Sequence, residues 1–362
     1  MIRRIRQPGL GAALAASLAV AACGGGEDRT AAAPEPAAAA RVYVSNETAG
    51  AIVVLDPATN AIVRHVAVGK RPRGIHLSAD GTQLFVALSG SPISPPGVDE
   101  STLPPPDRSA DGIGVVDLET LALVRTYPSG QDPEAFDLSA DGRTLYVSNE
   151  ETAEMSVLDL ASGTITKRVP VGEEPEGVTV SPDGRTVWVT CEAENTVVGV
   201  DTSSLEVVAR VETAPRPRTI VFTPDGTTMF VTGETGAAVS VVDPEARRVT
   251  DTIALGGSED QASPPRPMGA VLSPDGQRLY VSNGRGRTVS VIDVASRTLL
   301  QTVTDVGVRP WGIGITPDGR TLYTANGPSG DVSAIDVATG TVTRWIPVGG
   351  SPWGIIVDGT RD

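Results

Sequence analysis

Short apolar segments alternate with turn residues from residue 41 to the end of the chain, and no segment there has helical periodicity. One stretch shows the pattern most clearly. Its apolar segments are 311–316 (WGIGIT), 321–325 (TLYTA), 331–335 (DVSAI) and 343–348 (TRWIPV). Glycine-containing turns separate them, and glycine can adopt the positive φ of tight hairpins. Four short strands in about 42 residues are typical of one β-propeller blade.

The same unit recurs seven times, because several residue types return in the same register. Asp-Gly pairs mark one register, at Asp80, Asp141, Asp183, Asp225, Asp275, Asp318 and Asp358. Aromatic residues mark a second, at Tyr43, Phe85, Tyr146, Trp188, Phe230, Tyr280 and Tyr323. Prolines mark a third, at Pro72, Pro133, Pro175, Pro217, Pro267, Pro310 and Pro352. We therefore predict an all-β fold, a seven-bladed β-propeller with four antiparallel strands per blade.

The two ends of the repeat array predict how the ring closes. Residues 41–44 match the second strand of a blade, whereas residues 353–357 match the first. We expect the C-terminal strand to pair with the N-terminal one, as the innermost strand of a blade completed by residues 41–68. Such pairing removes the open sheet edges. The predicted propeller domain is 41–362.

The first 22 residues have the layout of an export signal. Three arginines precede an uncharged, Ala- and Leu-rich segment at 9–22, which is too short to span a bilayer as a helix. Small residues then precede Cys23, as in a bacterial lipobox. We predict a lipoprotein signal peptide at 1–22, lipidation of Cys23 and a flexible tether at 23–40. The protein is then exported and anchored in the cell envelope on its periplasmic face. Gly24 after the cysteine favours the outer membrane.

Charge and composition exclude several classes of partner and cofactor. The chain has 29 Lys and Arg against 44 Asp and Glu, a net charge of −15, which argues against nucleic acid binding. Only two cysteines and two histidines are present, and there is no haem-attachment motif. We therefore predict no metal or cofactor, and the repeated aspartates are interpreted as turn caps.

The residues that follow the repeated prolines are the candidate binding site, because each precedes an innermost strand and all seven then line one mouth of the central channel. They are Arg73, Glu134, Glu176, Arg218, Met268, Trp311 and Trp353. Arginines bind carboxylates and tryptophans stack on planar groups. The set predicts a small anionic or planar ligand. The alternative is that these side chains only fill the funnel. Arg285, in an outer turn, is expected to lie away from the mouth.

Glu134 and Glu176 also suggest a pair of catalytic carboxyl groups. The neighbouring arginines favour ion pairing instead, so we assign no catalytic residue.

The repeat sequences resemble a known family. Residues 146–149 (YVSN) and 181–186 (SPDGRT) are similar to the YVTN-type propeller repeat. The motifs around Pro72, Pro133, Pro175 and Pro217 are most similar to the propellers associated with pyrroloquinoline-quinone-dependent catabolism. The resemblance covers 41–357. It implies a periplasmic or envelope protein that accompanies quinoprotein oxidation systems and has no established chemistry of its own.

From these features we predict a non-enzymatic, monomeric envelope lipoprotein that binds a small ligand or a periplasmic protein partner. The alternatives are a lactonase-like propeller hydrolase and a structural, surface-layer-type repeat protein. The insert at 89–112 carries six prolines, which exclude long regular structure. It is either a tolerated surface insertion or a partner-docking loop.

Overall fold

In a computed structural model of the chain, residues 40–93, 102–256 and 264–359 are described. They form seven four-stranded antiparallel sheets arranged in a ring, which confirms the predicted seven-bladed β-propeller. The predicted signal, Cys23 and nearly all of the tether lie outside the described residues, so export and lipidation stay predictions. Within the described ranges, no helix is long and apolar enough to cross a membrane.

The strands follow the blades in chain order, except that the last strand belongs to blade 1. Blade 1 contains β1 Val42–Asn46, β2 Ala51–Asp56, β3 Ala61–Ala67 and β28 Pro352–Val357. Blade 2 contains β4 Pro72–Leu77, β5 Gln83–Leu88, β6 Gly112–Asp117 and β7 Ala122–Tyr127. Blade 3 contains β8 Pro133–Leu138, β9 Thr144–Asn149, β10 Glu154–Asp159 and β11 Thr164–Pro170. Blade 4 contains β12 Pro175–Val180, β13 Thr186–Cys191, β14 Thr196–Asp201 and β15 Val207–Glu212. Blade 5 contains β16 Pro217–Phe222, β17 Met229–Gly233, β18 Ala238–Asp243 and β19 Arg248–Ala254. Blade 6 contains β20 Pro267–Leu272, β21 Arg278–Asn283, β22 Thr288–Asp293 and β23 Thr298–Val303. Blade 7 contains β24 Pro310–Ile315, β25 Thr321–Asn326, β26 Asp331–Asp336 and β27 Thr341–Pro347. Two short 3₁₀ turns, Arg108–Ala110 and Glu150–Thr152, lie between strands.

The ring closes through the two ends of the chain, as predicted. Strand β28 pairs antiparallel with β1, with Val357 opposite Val42 and Ile355 opposite Val44. The Asp358 amide also donates to the Arg41 carbonyl at 2.8 Å. Blade 1 therefore combines one C-terminal strand with three N-terminal strands.

The repeated aromatic residues and aspartates have the structural roles that their registers predict. All seven aromatic residues of the second strands are buried in apolar clusters. At the turns, Asp183 accepts from the Ser181 hydroxyl at 2.6 Å and from the Arg185 amide at 3.0 Å. The turns at Asp80, Asp141, Asp225, Asp275 and Asp318 repeat this geometry. These aspartates cap their turns.

The innermost strands are tied to each other at the level of the mouth. In five blades a Ser or Thr hydroxyl on the second strand donates to the main-chain carbonyl of the mouth residue in the next blade. The pairs are Ser45–Arg73, Ser148–Glu176, Thr190–Arg218, Thr232–Met268 and Ser282–Trp311, at 2.6–3.1 Å. These contacts hold the mouth residues by their main chains, so the type of side chain at this position can differ from blade to blade.

Close approach between neighbouring inner strands also requires glycine. A Cβ on Gly312 would lie 2.7 Å from the Trp353 carbonyl oxygen and 2.9 Å from the Ile355 nitrogen, both main-chain atoms of blade 1. We expect Gly312→Ala to lower the free energy of unfolding by about 1–3 kcal/mol, because the blades must separate. Urea denaturation measures this change.

Blade 3 offers a matched control, because Ala135 stands there in the glycine register. Ala135→Gly should cost only about 0.5–1 kcal/mol through chain entropy. Equal effects of the two substitutions would contradict the proposed packing constraint.

Candidate functional site at the channel mouth

The seven predicted mouth residues lie at the starts of the seven inner strands, but their environments differ. Arg73, Glu134, Glu176, Arg218 and Met268 are buried, whereas Trp311 and Trp353 are partly exposed. The side chains divide the mouth into an acidic half on blades 2–5 and an aromatic half on blades 6, 7 and 1.

Arg73 is the centre of one buried charge cluster in the acidic half. Its guanidinium forms ion pairs with Asp132 and Glu134, and its Nη1 lies 3.6 Å from Glu150 Oε2. Arg73 lowers the pKa of Asp132, although burial opposes that shift. Arg73 therefore already has carboxylate partners within the protein.

Arg218 is the centre of a second cluster on the neighbouring blades. Its Nε and Nη2 donate to Glu234 Oε2 at 3.0 and 2.8 Å, while Nη1 pairs with Glu176 and Glu192. Burial opposes ionisation of Arg218, but the three carboxylates overcome it and raise its pKa. The same guanidinium lowers the pKa of Glu234 against the effect of burial.

Three glutamates meet between these two clusters. Carboxylate oxygens of Glu134, Glu150 and Glu176 lie within 4.8 Å of one another. Burial, and then the charge of Glu176, raise the pKa of Glu150 to about 7. The same two causes raise the pKa of Glu192 to about 9. Glu192 therefore retains its proton at neutral pH, and Glu150 titrates there.

Glu150 is the member of this trio that solvent can reach. One-third of its side chain is exposed, compared with 5% for Glu134 and 11% for Glu176. The three oxygens have the spacing of a cation site, but Arg73 and Arg218 already neutralise Glu134 and Glu176. The arrangement is suited to proton transfer to and from a bound molecule.

Glu150, Glu192 and Glu234 were not predicted from the sequence, although a register marks them. Each directly follows the second strand of its blade, and Glu47 has the same place in blade 1. The corresponding residues of blades 6 and 7 are Gly284 and Gly327. Acidic residues recur at this strand-end position in four blades, and this recurrence in the sequence could have identified the acidic half of the mouth.

The aromatic half contains stacked indoles and arginine side chains. The rings of Trp311 and Trp353 are stacked, with centroids 6.1 Å apart and planes inclined by 20°. The Cζ atoms of Arg309 and Arg218 lie 4.4 and 5.8 Å from the Trp311 ring centroid. Arg285 lines the same cleft as Arg309. None of the seven mouth residues lines that cleft, so the expectation that Arg285 lies away from the mouth stays a prediction.

The proline-rich insert is attached to the acidic half. Ser89 donates to the buried Asp132, and Arg108 and Ser91 both bond to Glu151. The Arg71 guanidinium donates to the Ser91 carbonyl at 3.1 Å. The described part of the insert also lines a cleft of about 540 Å³ beside blade 1. The described part of the insert is therefore packed against residues of the acidic half.

Cys191 and His76 have surroundings that argue against nucleophilic or metal chemistry. Burial raises the pKa of the Cys191 thiol to about 12, so the thiolate does not form near neutral pH. His76 Nδ1 faces the Leu77 carbonyl at 2.7 Å and Nε2 lies 3.2 Å from Asp137. Both ring nitrogens are thus engaged within the inner strands.

Comparisons with known proteins agree with the propeller fold. A family model described as lactonase, 7-bladed beta-propeller, matches residues 177–347, and one described as YNCE-like beta-propeller matches 99–183. No curated protein sequence matches the chain.

Solved structures of other propellers resemble this chain over most of its length. The Pseudomonas aeruginosa periplasmic gluconolactonase is 21% identical, covers 88% of this chain and 98% of its own, and has a TM-score of 0.71. A putative 6-phosphogluconolactonase from Bacteroides fragilis is 20% identical, with 90% and 99% covered and a TM-score of 0.70. The Kuenenia stuttgartiensis hydrazine synthase structure is 22% identical, with 79% and 89% covered and a TM-score of 0.65. At these identities the likeness shows the fold.

The lactonase family model contradicts the expectation of a non-enzymatic protein. Two of the similar structures described above also have lactonase names. The physical reason for the error lies in the strand-end glutamates. Without Glu150 and Glu192, the mouth contained only carboxylates held ionised by arginines, and no group that could exchange a proton. The lactonase family model over residues 177–347 favours the lactonase-like alternative over a non-enzymatic role.

Proposed function

We propose that this chain hydrolyses a sugar lactone at the channel mouth, with Glu150 as the general base. The proposal rests on Glu150, a solvent-accessible carboxyl group that lies among buried ion pairs and has a pKa of about 7. A general base is most effective when its pKa is close to the working pH. The lactonase family model and the lactonases among similar propellers support the same reaction class.

The reaction requires one proton to be removed and one to be delivered. Ionised Glu150 takes a proton from a water molecule while that water attacks the lactone carbonyl carbon. The new carbon–oxygen bond gives a tetrahedral intermediate, and the ring carbon–oxygen bond then breaks. The departing ring oxygen receives the proton from Glu150, which restores the ionised base. The product is an open-chain hydroxy acid.

The other mouth residues fit a polyhydroxylated ring. Carboxylates of the acidic half accept hydrogen bonds from sugar hydroxyls, and the exposed Trp311–Trp353 face packs against the apolar face of the ring. Glu134 and Glu176 keep their arginine partners during the reaction. They act by positioning Arg73 and Arg218, and through their charge on Glu150.

The predicted export of the chain is compatible with this substrate class. Oxidation of the anomeric carbon of a cyclic sugar yields a lactone. The resemblance to propellers that accompany quinoprotein oxidation therefore favours an envelope lactonase that opens lactones formed by sugar oxidation. Lipid anchoring through Cys23 remains part of this proposal.

We expect Glu150→Gln to lower kcat/KM for glucono-δ-lactone about 10²- to 10⁴-fold, because the amide cannot accept the proton. A pH-stat or indicator assay measures the acid released, after subtraction of the uncatalysed rate. Wild-type kcat/KM should fall below pH 7 as Glu150 becomes protonated. This dependence should be absent in the variant.

The variant should fold normally, since glutamine has the shape of the protonated glutamic acid that is half populated near pH 7. Glu119→Gln, an exposed glutamate in an outer turn of blade 2, is the matched control and should keep full activity. Full activity of Glu150→Gln on every lactone that the wild type hydrolyses would refute the assignment.

A further inference from the structure

Three arginines of the aromatic half line one cleft and are unpaired within the described ranges. Arg285, Arg287 and Arg309 surround a cavity of about 370 Å³, together with Gly284, Val308 and Pro328. No described carboxylate lies within 4.0 Å of their guanidinium nitrogens. In a chain with a net charge of −15, this concentration of unpaired positive charge is exceptional.

The repeat register explains why Arg309 has no partner. The residue before the repeated proline faces the strand-end residue of the preceding blade. In this way Arg71 pairs with Glu47 at 2.8 Å, and Arg216 pairs with Glu192. Arg309 occupies the same position in blade 7, but the strand-end residue of blade 6 is Gly284. A Cβ on Gly284 would lie 3.6 Å from Arg309 Cγ, so the missing carboxylate would fall beside Arg309.

The conformation of Arg309 is also held in place. Its φ of 56° lies in the left-handed region, which costs an arginine free energy and persists only where neighbours enforce it. Its guanidinium lies over the Trp311 ring. Burial lowers its pKa, the charge of Glu234 opposes that shift, and the neighbouring Arg285, Arg218 and Arg216 add to it. Glu234 itself is hydrogen-bonded to Arg218 and lies beyond 4.0 Å of Arg309.

The proposed lactone hydrolysis produces a carboxylate, which is an anion that could pair with the three arginines of this cleft. Hydrolysis converts a neutral lactone into an acid that is ionised at neutral pH. The acidic half of the mouth repels that new carboxylate, whereas the arginines across the Trp311 ring attract it. Arginine presents a planar fork that matches a carboxylate with two hydrogen bonds.

We propose that Arg309, with Arg285 and Arg287, forms a carboxylate subsite that holds the open-chain sugar acid. This inference rests on the proposed lactonase function for the identity of the acid, but the subsite itself stands on the unpaired arginines. It implies that the product binds competitively with the substrate. The sugar acid therefore regulates its own formation.

Direct binding tests the subsite without any need for turnover. Sodium gluconate is titrated into the full chain by calorimetry in low-salt buffer, with sorbitol as the neutral analogue of equal chain length. We expect gluconate to bind, sorbitol to bind at least tenfold more weakly, and gluconate affinity to fall as salt is added. Arg309→Gln should weaken gluconate binding at least tenfold.

A gain-of-carboxylate variant gives an independent arm. Gly284→Glu restores the acid found in blades 1, 3, 4 and 5, and it should pair with Arg309 and block gluconate at least tenfold. Its Cβ would lie 3.2 Å from Met268 Cγ, so the flexible Met268 side chain must shift slightly, and a wild-type circular dichroism spectrum checks that the variant is folded. Arg344→Gln, an exposed arginine on β27, is the matched control and should change nothing.

The outcomes separate the two proposals. Absence of gluconate binding, or affinity that is unchanged in Arg309→Gln and Gly284→Glu, overturns the subsite even where lactone hydrolysis is observed. Inorganic phosphate that binds more tightly than gluconate, with the same dependence on Arg309, overturns the carboxylate assignment in favour of a phosphate ester. Gluconate binding that depends on Arg309, without hydrolysis of any lactone, upholds the subsite and refutes the proposed function.

Discussion

Removal of residues 352–362 should leave a chain that does not fold to a closed propeller. Strand β28 contributes three buried apolar side chains, Ile355, Ile356 and Val357, to the clusters on both sides of blade 1. Each is worth about 1.5–3 kcal/mol of burial. Their sum is comparable to the total stability of about 5–15 kcal/mol of a typical domain, before the lost hydrogen bonds with β1 are considered.

The measurement is thermal or urea unfolding followed by circular dichroism, with a protease digest to detect open blades. Removal of 360–362 alone keeps β28 and is the control, which should melt like the full chain. A peptide spanning 351–359 added to the truncated chain should restore part of the stability by pairing with β1. A truncated chain that melts at the full-length temperature would contradict closure by β28.

The sequence predicted the fold well because each blade repeats several independent constraints. The aromatic residue of the second strand must be buried, the turn aspartate must cap its hairpin, and the proline must start the inner strand. Each requirement follows from local chemistry, so seven copies of Tyr, Trp or Phe in one register identify the blade. Closure followed from Val42 and Val357 falling on complementary strands of one blade.

The chemistry of the mouth was predicted less completely, because it depends on differences between blades rather than on their similarity. Glu150 and Gly284 occupy equivalent positions, yet one provides a titrating carboxyl group and the other leaves Arg309 without a partner. The repeat places Arg73 and Arg218 at the mouth, but their pairing with Asp132 and Glu234 depends on which side chains of neighbouring blades converge. Convergence of this kind is visible only in three dimensions.

Loss of Arg218 should be the most damaging single substitution in the acidic half. Arg218→Met removes the positive charge that lies against Glu176, Glu192 and Glu234, of which Glu192 retains its proton at pH 7.5, while it keeps most of the side-chain volume. Removing one partner of a buried ion cluster costs about 3–5 kcal/mol, because the remaining charges are left without compensation. We therefore expect a large fall in the urea midpoint at pH 7.5, with Arg344→Met as the exposed control within about 0.5 kcal/mol.

The stability difference between wild type and Arg218→Met should depend on pH, and its direction follows from the pKa of Glu234. Arg218 lowers the pKa of Glu234 in the folded state, so its stabilisation is present above the ordinary pKa of glutamate and is lost as pH falls through the lowered value. The stability difference between wild type and Arg218→Met should therefore be largest at neutral pH and shrink in acid. Adding Glu234→Gln to Arg218→Met should recover part of the loss, since one uncompensated carboxylate is removed. A difference that is constant from pH 3 to 8, with no recovery in the double variant, would show that Arg218 acts through packing and not through its charge.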